Sequence, residues 1–420
     1  MKRERPDLIA IETKTPVVKR HWQIVNKLKE ISAGIWPLKT VLMGDHVTAL
    51  PQETMENSPV DFVITGGDYD FMLLSLCESI QGKGALKEGV WFRVGNEIKN
   101  TGRFKLDNNL DDLPIIDREL TQSARYNVEY NIKVRPFAYT MVGRDCPYHQ
   151  CRFCSWTTLY PTFRTRSPAS LLDEIGMLID RYNVREVFDD TGSFPTGEWL
   201  NEFCHGLIAR GYNKKISFSC NMRVDYVTAQ RAALMKQANF RLLKVGLESA
   251  NQKTLDRLNK GIAVDDIVRA CEIASAAGLT IHLTIMIGFP WETREDALRT
   301  VGLAKKLMVS GRAELLQSTV VMPYPGTPLY REAADNDWFS ISPLDYERFD
   351  MSEPVLSTQD MSSQEVMQMC TKVYGIFRSP RYILRKALSI RSLDDIKYYC
   401  RGARAVFGHH KDFSRTARDS

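Results

Sequence analysis

At 420 residues, with 44% apolar and 25% charged side chains, the chain is long enough for two or three cores and too apolar to be disordered. A net charge of +5, much of it gathered past Arg378, is too mild to imply nucleic acid on its own. No apolar run approaches the roughly 18 to 20 residues of a membrane span, and MKRERPDLIAIE has no apolar signal core, so the expected compartment is the cytoplasm and the nine cysteines are expected as thiols or metal ligands.

The first elements form a parallel pattern: strand DLIAIE (7–12), helix 17–32, strand KTVLM (39–43), strand DFVIT (61–65) and an apolar helix from Phe71. This alternation predicts part of a Rossmann-like, doubly wound domain over residues 1–120. Only three parallel strands are legible, which predicts an exposed sheet edge. VWFRV-GN-EIKN (90–100) reads as a hairpin turning at Gly95-Asn96, and with LDDLPIIDREL (110–120) it is expected to bridge to the next domain.

Six β/α units follow within residues 130–335. Their strand runs are FAYTMV (137–142), VREVF (184–188), KISFSC (215–220), RLLKVGL (241–247), LTIHLTIMIGF (279–289) and LLQSTVVM (315–322). Each run is followed by a polar loop and a stretch of helical length, which predicts a parallel sheet curled into a partial (β/α)6 barrel. Ser167-Pro168 reads as an N-cap with proline in the first turn. Residues 336–420 are expected to be helical and basic. In such barrels the functional loops follow the carboxyl ends of the strands, and the chemical motifs of this chain fall there.

The first of them is CPYHQCRFC, with Cys146, Cys151 and Cys154 on one short loop. Three thiolates can hold three irons of a cubane cluster and leave the fourth open; a zinc site would need a fourth ligand, His149 or a distant residue. Cysteines 77, 204, 220, 271, 370 and 400 lie in apolar or helical stretches and read as ordinary thiols. His282, within a strand pattern, reads as packed.

The loop and the strands after it resemble the radical S-adenosylmethionine (SAM) superfamily, in particular the group that joins a cobalamin-binding domain to the radical SAM barrel. The resemblance runs from about residue 7 to about residue 335. The usual loop is C-x3-C-x2-C with an aromatic before the third cysteine; here Phe153 is that aromatic and one extra residue gives C-x4-C-x2-C. The resemblance implies a 4Fe-4S cluster on the three cysteines and SAM on the open iron. FDDTGSF would offer Asp189 and Asp190 to the SAM amino group, and SCNMRVD would offer Arg223 to its carboxylate. KVGLESA would offer Glu248 and Ser249 to the ribose, and MIGFPWET would bring Gly288 and Pro290 to adenine. Tyr324 and Trp291 would face the substrate side.

IETKTP (11–16), MGDHVTALP (43–51) and DFVITGGDYD (61–70) resemble the later strand–loop segments of the cobalamin domain, which would set Thr15, His46, Thr48 and Gly66 over a corrin. The D-x-H-x-x-G signature of a lower-axial histidine is absent. The sheet begins at what would be the third strand of that domain, so a partner chain completing it is one expectation and loss of cofactor binding another. The implied activity is hydrogen abstraction from an unactivated carbon by a 5′-deoxyadenosyl radical, leading to methyl transfer, cyclisation or rearrangement. The implied substrate is a small molecule, lipid or peptide, and the implied electron donor a flavodoxin or ferredoxin. A non-catalytic iron–sulfur or zinc protein is the competing reading. A methylthiotransferase fits poorly, because no tRNA-binding barrel or second cysteine set is evident.

Overall fold

A computed structural model describes residues 3–126 and 130–416, with side chains as far as Val406. The chain separates into two compact units, each assembled from discontinuous segments. The first comprises 1–109, 149–162 and 322–351; the second comprises 110–148, 163–321 and 352–420. The stretch 336–420, one region by composition, is thus shared between them.

The first unit is built on a five-stranded sheet: β1 (Leu8–Glu12), β2 (Lys39–Met43), β3 (Phe62–Ile64), β4 (Val90–Val94) and β5 (Glu97–Asn100), in that order. β1, β2 and β3 pair in parallel, and β3 pairs antiparallel with β4. The hairpin expected to act as a bridge is therefore part of the sheet, with Phe62 opposite Phe92, Val63 opposite Trp91 and Ile64 opposite Val90. Aromatic and β-branched residues facing across the ladder make that pairing favourable, and it covers the β3 edge that three strands would have left open.

Successive β2 residues explain the unbroken apolar runs. Leu42 enters a cluster with Val18, Trp22 and Val25 of the helix Val18–Ser32, while Val41 enters one with Ile64, Met72 and Leu76 on the other face. A sheet buried on both faces shows no polar alternation. Val18, Trp22 and Val25 recur at the three- and four-residue steps of one helix face.

In the second unit, β6 (Phe137–Thr140) is followed by a small ribbon of β7 (Gly143–Arg144) and β8 (Arg164–Thr165). Then come β9 (Glu186–Asp189), β10 (Ser217–Asn221), β11 (Phe240–Glu248), β12 (Thr280–Ile287) and β13 (Leu315–Val320). β6 and β9–β13 form one six-stranded parallel sheet in the order β13-β12-β11-β10-β9-β6, the curled half barrel expected from the repeat.

The helices that flank it start where their caps say. Ser167 Oγ accepts from Ser170 N at 3.2 Å ahead of Pro168–Tyr182. Thr293 and Asp296 form a capping box at the start of Arg294–Ser310. Inside Pro168–Tyr182, the buried Glu174 accepts from Arg118 at 2.8 Å and Arg166 at 2.5 Å, so its charge is not left alone in the core.

Three C-terminal helices, Ser363–Tyr374, Pro380–Leu388 and Leu393–Thr416, complete this unit. Tyr374 Oη donates to Ser318 O and accepts from Ser318 N, and Tyr382 Oη donates to Glu314 O, fixing the first two helices to the edge strand β13 and its approach. Among the described residues no helix is long and apolar enough to cross a membrane.

Candidate functional site

The division between the units falls inside the cysteine loop: Cys146 belongs to the second unit, Cys151 and Cys154 to the first. All three are thiols and partly exposed, whereas Cys204, Cys220, Cys271 and Cys370 are buried. Burial pushes the Cys204, Cys271 and Cys370 thiols up to about 12, which makes them poor ligands. The donor set of the loop therefore suits a thiolate-held cluster. Among the described residues no three His, Cys, Asp or Glu side chains already converge as a bound metal would require, so the fit is one of donor chemistry.

Within the second unit, the end of β9 anchors the start of this loop. Asp189 is fully buried and its carboxylate accepts from Thr140 Oγ1 at 2.7 Å, Val142 N at 3.0 Å and Thr191 N at 3.1 Å. Burial pushes its pKa up and these donors work against the rise. Asp189, expected to meet SAM, is thus spent on holding the turn after β6, and it is Asp190 that is exposed. Asn221 Nδ2 donates to Asp190 Oδ1 at 3.0 Å and steadies it at the strand end. Asp145, next to Cys146, is packed so tightly on Gly192 that a Cβ there would lie 1.9 Å from its Oδ1. Burial pushes its carboxyl up to about 7.

Arg223 is almost buried. Its Nε and Nη2 donate to Asp225 at 3.0 and 3.2 Å, Nη2 donates to Lys260 O at 2.9 Å, and the guanidinium lies 3.8 Å from the ring centroid of Tyr148, a residue of the cysteine loop. The arginine expected to grip a ligand carboxylate here grips Asp225 bidentately and stacks on the loop.

Glu248 ends β11 with a left-handed φ of 56°, just after a register shift between Gly246 and Glu248, and its Oε1 accepts from Lys260 Nζ at 2.8 Å. Ser249 turns inward: its Oγ donates to Glu292 Oε1 at 2.5 Å. Thr254 Oγ1 and Asn251 Nδ2 donate to the same oxygen at 2.7 and 3.1 Å. Glu292 is 1% exposed and burial raises its pKa against those three donors. This hub ties the loop after β11 to the loop after β12. It was not singled out in the sequence, because its partners lie 38 to 43 residues away.

Trp291 Nε1 donates to Thr254 Oγ1 at 3.2 Å and Arg257 lies over its ring at 4.2 Å, so this aromatic is part of the same scaffold.

Gly288 follows β12 at φ 98°, and a Cβ there would come within 3.0 Å of Val366; the neighbouring Pro290 is buried. Only glycine takes this backbone without strain. Gly288→Val is expected to lower stability by about 1–3 kcal/mol, read by thermal unfolding. A variant matching wild type would contradict a constrained loop.

In the first unit, Thr15 and His46 are buried core rather than a ligand surface. His46 is 0% exposed, with Nδ1 3.2 Å from Thr15 Oγ1 and its ring edge-on to Tyr346 at 4.6 Å. Burial lowers its pKa from 6.5 to about 3. Below pH 6.5 the unfolded chain takes up a proton that the folded chain refuses, so stability falls as pH drops toward 3, at up to about 1.4 kcal/mol per pH unit. Urea titrations are expected to show that loss in wild type and not in His46→Gln; parallel pH profiles would contradict it.

Thr48 and Gly66 do lie together: Gly66 N donates to Thr48 Oγ1 at 3.1 Å. Thr48 also lines a cavity of about 590 Å³ within this unit, with Arg103, Phe104, Thr158, Pro325 and Tyr330. Thr158 Oγ1 is buried without a hydrogen-bond partner among the described residues. An unsatisfied hydroxyl in a cavity with aromatic and cationic walls fits a large polar-edged cofactor. Tyr324 Oη donates to Phe349 O at 3.3 Å and so acts inside this unit.

Comparison with known proteins matches residues 140–304 to the radical SAM superfamily. An uncharacterised methyltransferase of Pyrococcus horikoshii is 26% identical over 393 residues, covering 92% of this chain and 82% of the relative. The anaerobic magnesium-protoporphyrin IX monomethyl ester cyclase of Cereibacter sphaeroides is 24% identical over 394 residues, and this chain spans 61% of its length. Among solved structures, the cobalamin-dependent SAM radical enzyme OxsB, with aqua-cobalamin and SAM bound, superposes with a TM-score of 0.72 at 14% identity over 97% of this chain and 64% of OxsB. The radical SAM methyltransferase TsrM from Kitasatospora setae, with cobalamin and a [4Fe-4S] cluster bound, gives 0.68 at 13% identity over 100% of this chain and 89% of TsrM. At these identities the structural likeness is one of fold. The six-stranded half barrel and the match across its strand ends agree: residues 140–304 form a radical SAM domain.

Proposed function

We propose that the chain cleaves SAM reductively at a 4Fe-4S cluster ligated by Cys146, Cys151 and Cys154. The first unit would hold a cobalamin, and the outcome would be methyl transfer to, or ring closure at, an unactivated carbon of a small-molecule, lipid or peptide substrate. When bound, the cluster supplies the electron that breaks a C–S bond of SAM into methionine and a 5′-deoxyadenosyl radical, and cobalamin supplies methyl-transfer chemistry. The electron would come from a flavodoxin- or ferredoxin-type donor.

The observation that carries the reading is the set of residues at the carboxyl ends of strands in the matched segment: Asp190 after β9, Glu248 closing β11 and Gly288 after β12. Asp190 offers an exposed carboxylate to an ammonium. Glu248, paired with Lys260 through Oε1, would accept from ribose hydroxyls. Gly288 lets the backbone approach a flat base. Asp189, Arg223 and Ser249 act one layer behind, holding the loops that present these groups. The names of the relatives, methyltransferases and a ring cyclase, support both outcomes.

The cobalamin reading has its own test. Protein reconstituted anaerobically with iron, sulfide and hydroxocobalamin is expected to keep about one corrin per chain, seen by absorbance after desalting. Thr158→Trp, which puts an indole ring into the 590 Å³ cavity, is expected to lose it. Wild type emerging without corrin would remove cobalamin and leave SAM cleavage standing.

A further inference from the structure

The barrel unit holds a second cavity, of about 640 Å³, at the end of the sheet opposite the strand-end residues. Its floor is Leu315 and Leu316, the first residues of β13, and its walls come from the three C-terminal helices, with Phe377, Tyr382 and Val406 among them. The volume is that of an ordinary small-ligand site.

Its lining is hydrocarbon and ring faces, because the tyrosine hydroxyls are engaged elsewhere. Tyr374 Oη bonds to Ser318, Tyr382 Oη donates to Glu314 O, and Tyr399 Oη lies 2.7 Å from Ser389 Oγ. The rim stays apolar, with Ile383 and Ile390 exposed to solvent.

Charge around the chamber is unbalanced toward positive. Arg385 and Lys386 share a single carboxylate, Glu314, which leaves one positive charge in surplus. Arg378, also in the lining, is exposed and has no ion-pair partner among the described residues. An apolar chamber closed by uncompensated cations suits a molecule with a long hydrocarbon body and one anionic end.

We propose that this cavity binds a long-chain carboxylate, its hydrocarbon packed against the start of β13 and its head group at Arg378. The site is separate from the strand-end residues and from the reading given for them.

Calorimetric titration of the full chain with oleate, kept below its micelle concentration, tests this. Saturable uptake of one oleate per chain is expected. Ala405→Trp, which puts an indole ring into the chamber, should weaken binding at least about tenfold by excluding several methylenes. Arg378→Glu should weaken it by about tenfold or more and Arg378→Lys by less than about threefold, since charge and not fork geometry is at issue. Thermal unfolding of each variant shows that it folds; should Ala405→Trp not fold, Ala387→Trp on the facing wall is read instead. Non-saturable uptake, equal affinity in the filled and charge-reversed variants, or binding to phosphatidylglycerol vesicles without one-to-one oleate binding would overturn the proposal.

Discussion

Cys151→Ala is expected to lower formation of 5′-deoxyadenosine from SAM and dithionite by at least about 1000-fold, while Cys204→Ala leaves it near wild type. A cubane held by three thiolates has one open iron for SAM; removing a thiolate opens a second and releases the cluster. Cys151 is partly exposed on the loop, whereas Cys204 is fully buried in the helix Glu198–Ala209 with its thiol pushed up to about 12. The pair of variants thus separates loss of a ligand from loss of any cysteine. Wild-type iron content and SAM cleavage in Cys151→Ala would remove the loop from the chemistry.

The second large effect is on stability. Glu186, at the start of β9, is 0% exposed and accepts from Lys133 N at 2.9 Å, Val134 N at 2.8 Å and Arg241 Nε at 2.9 Å. Arg241 in turn donates to Asn131 O and lies against Tyr398 of the last helix. One carboxylate therefore joins the entry to the barrel, β9, β11 and the C-terminal helix. Glu186→Ala strands a buried guanidinium and two backbone donors, and is expected to lower unfolding free energy by about 3–5 kcal/mol. Glu186→Gln keeps the shape and some of the acceptors, and should lose less. Chemical denaturation of the three proteins reads the difference; a loss under about 1 kcal/mol in Glu186→Ala would show that water reaches the site.

Much of the fold was legible because its signals are local. The six barrel strands announce themselves as β-branched runs, and Ser167-Pro168 starts its helix as its residue types require. What was not legible depends on partners far along the chain. The hairpin 90–100 is plain from Gly95-Asn96, yet nothing near it says that Phe92 will face Phe62. His46 follows a Gly-Asp pair and reads as a loop residue; Trp22 and Tyr346, which bury it, lie 24 and 300 residues away.

Within the site, residue types were easier to read than directions. The FDD string marks a strand end with two acids, and strand alternation sends them opposite ways, Asp189 inward and Asp190 out. Arg223 and Asp225 sit two residues apart, close enough that their pairing could have been anticipated. Glu292 stood inside the quoted MIGFPWET string unremarked, because its role appears only when the loops after β11 and β12 lie side by side.

The most direct test of a radical SAM centre in this chain is one anaerobic reconstitution read by iron and sulfide analysis, electron paramagnetic resonance and product formation. About four irons and four sulfides per chain are expected, with a reduced-cluster signal that changes when SAM is added and 5′-deoxyadenosine appearing with dithionite. Zinc in place of iron, or a cluster whose signal ignores SAM and yields no 5′-deoxyadenosine, would contradict it.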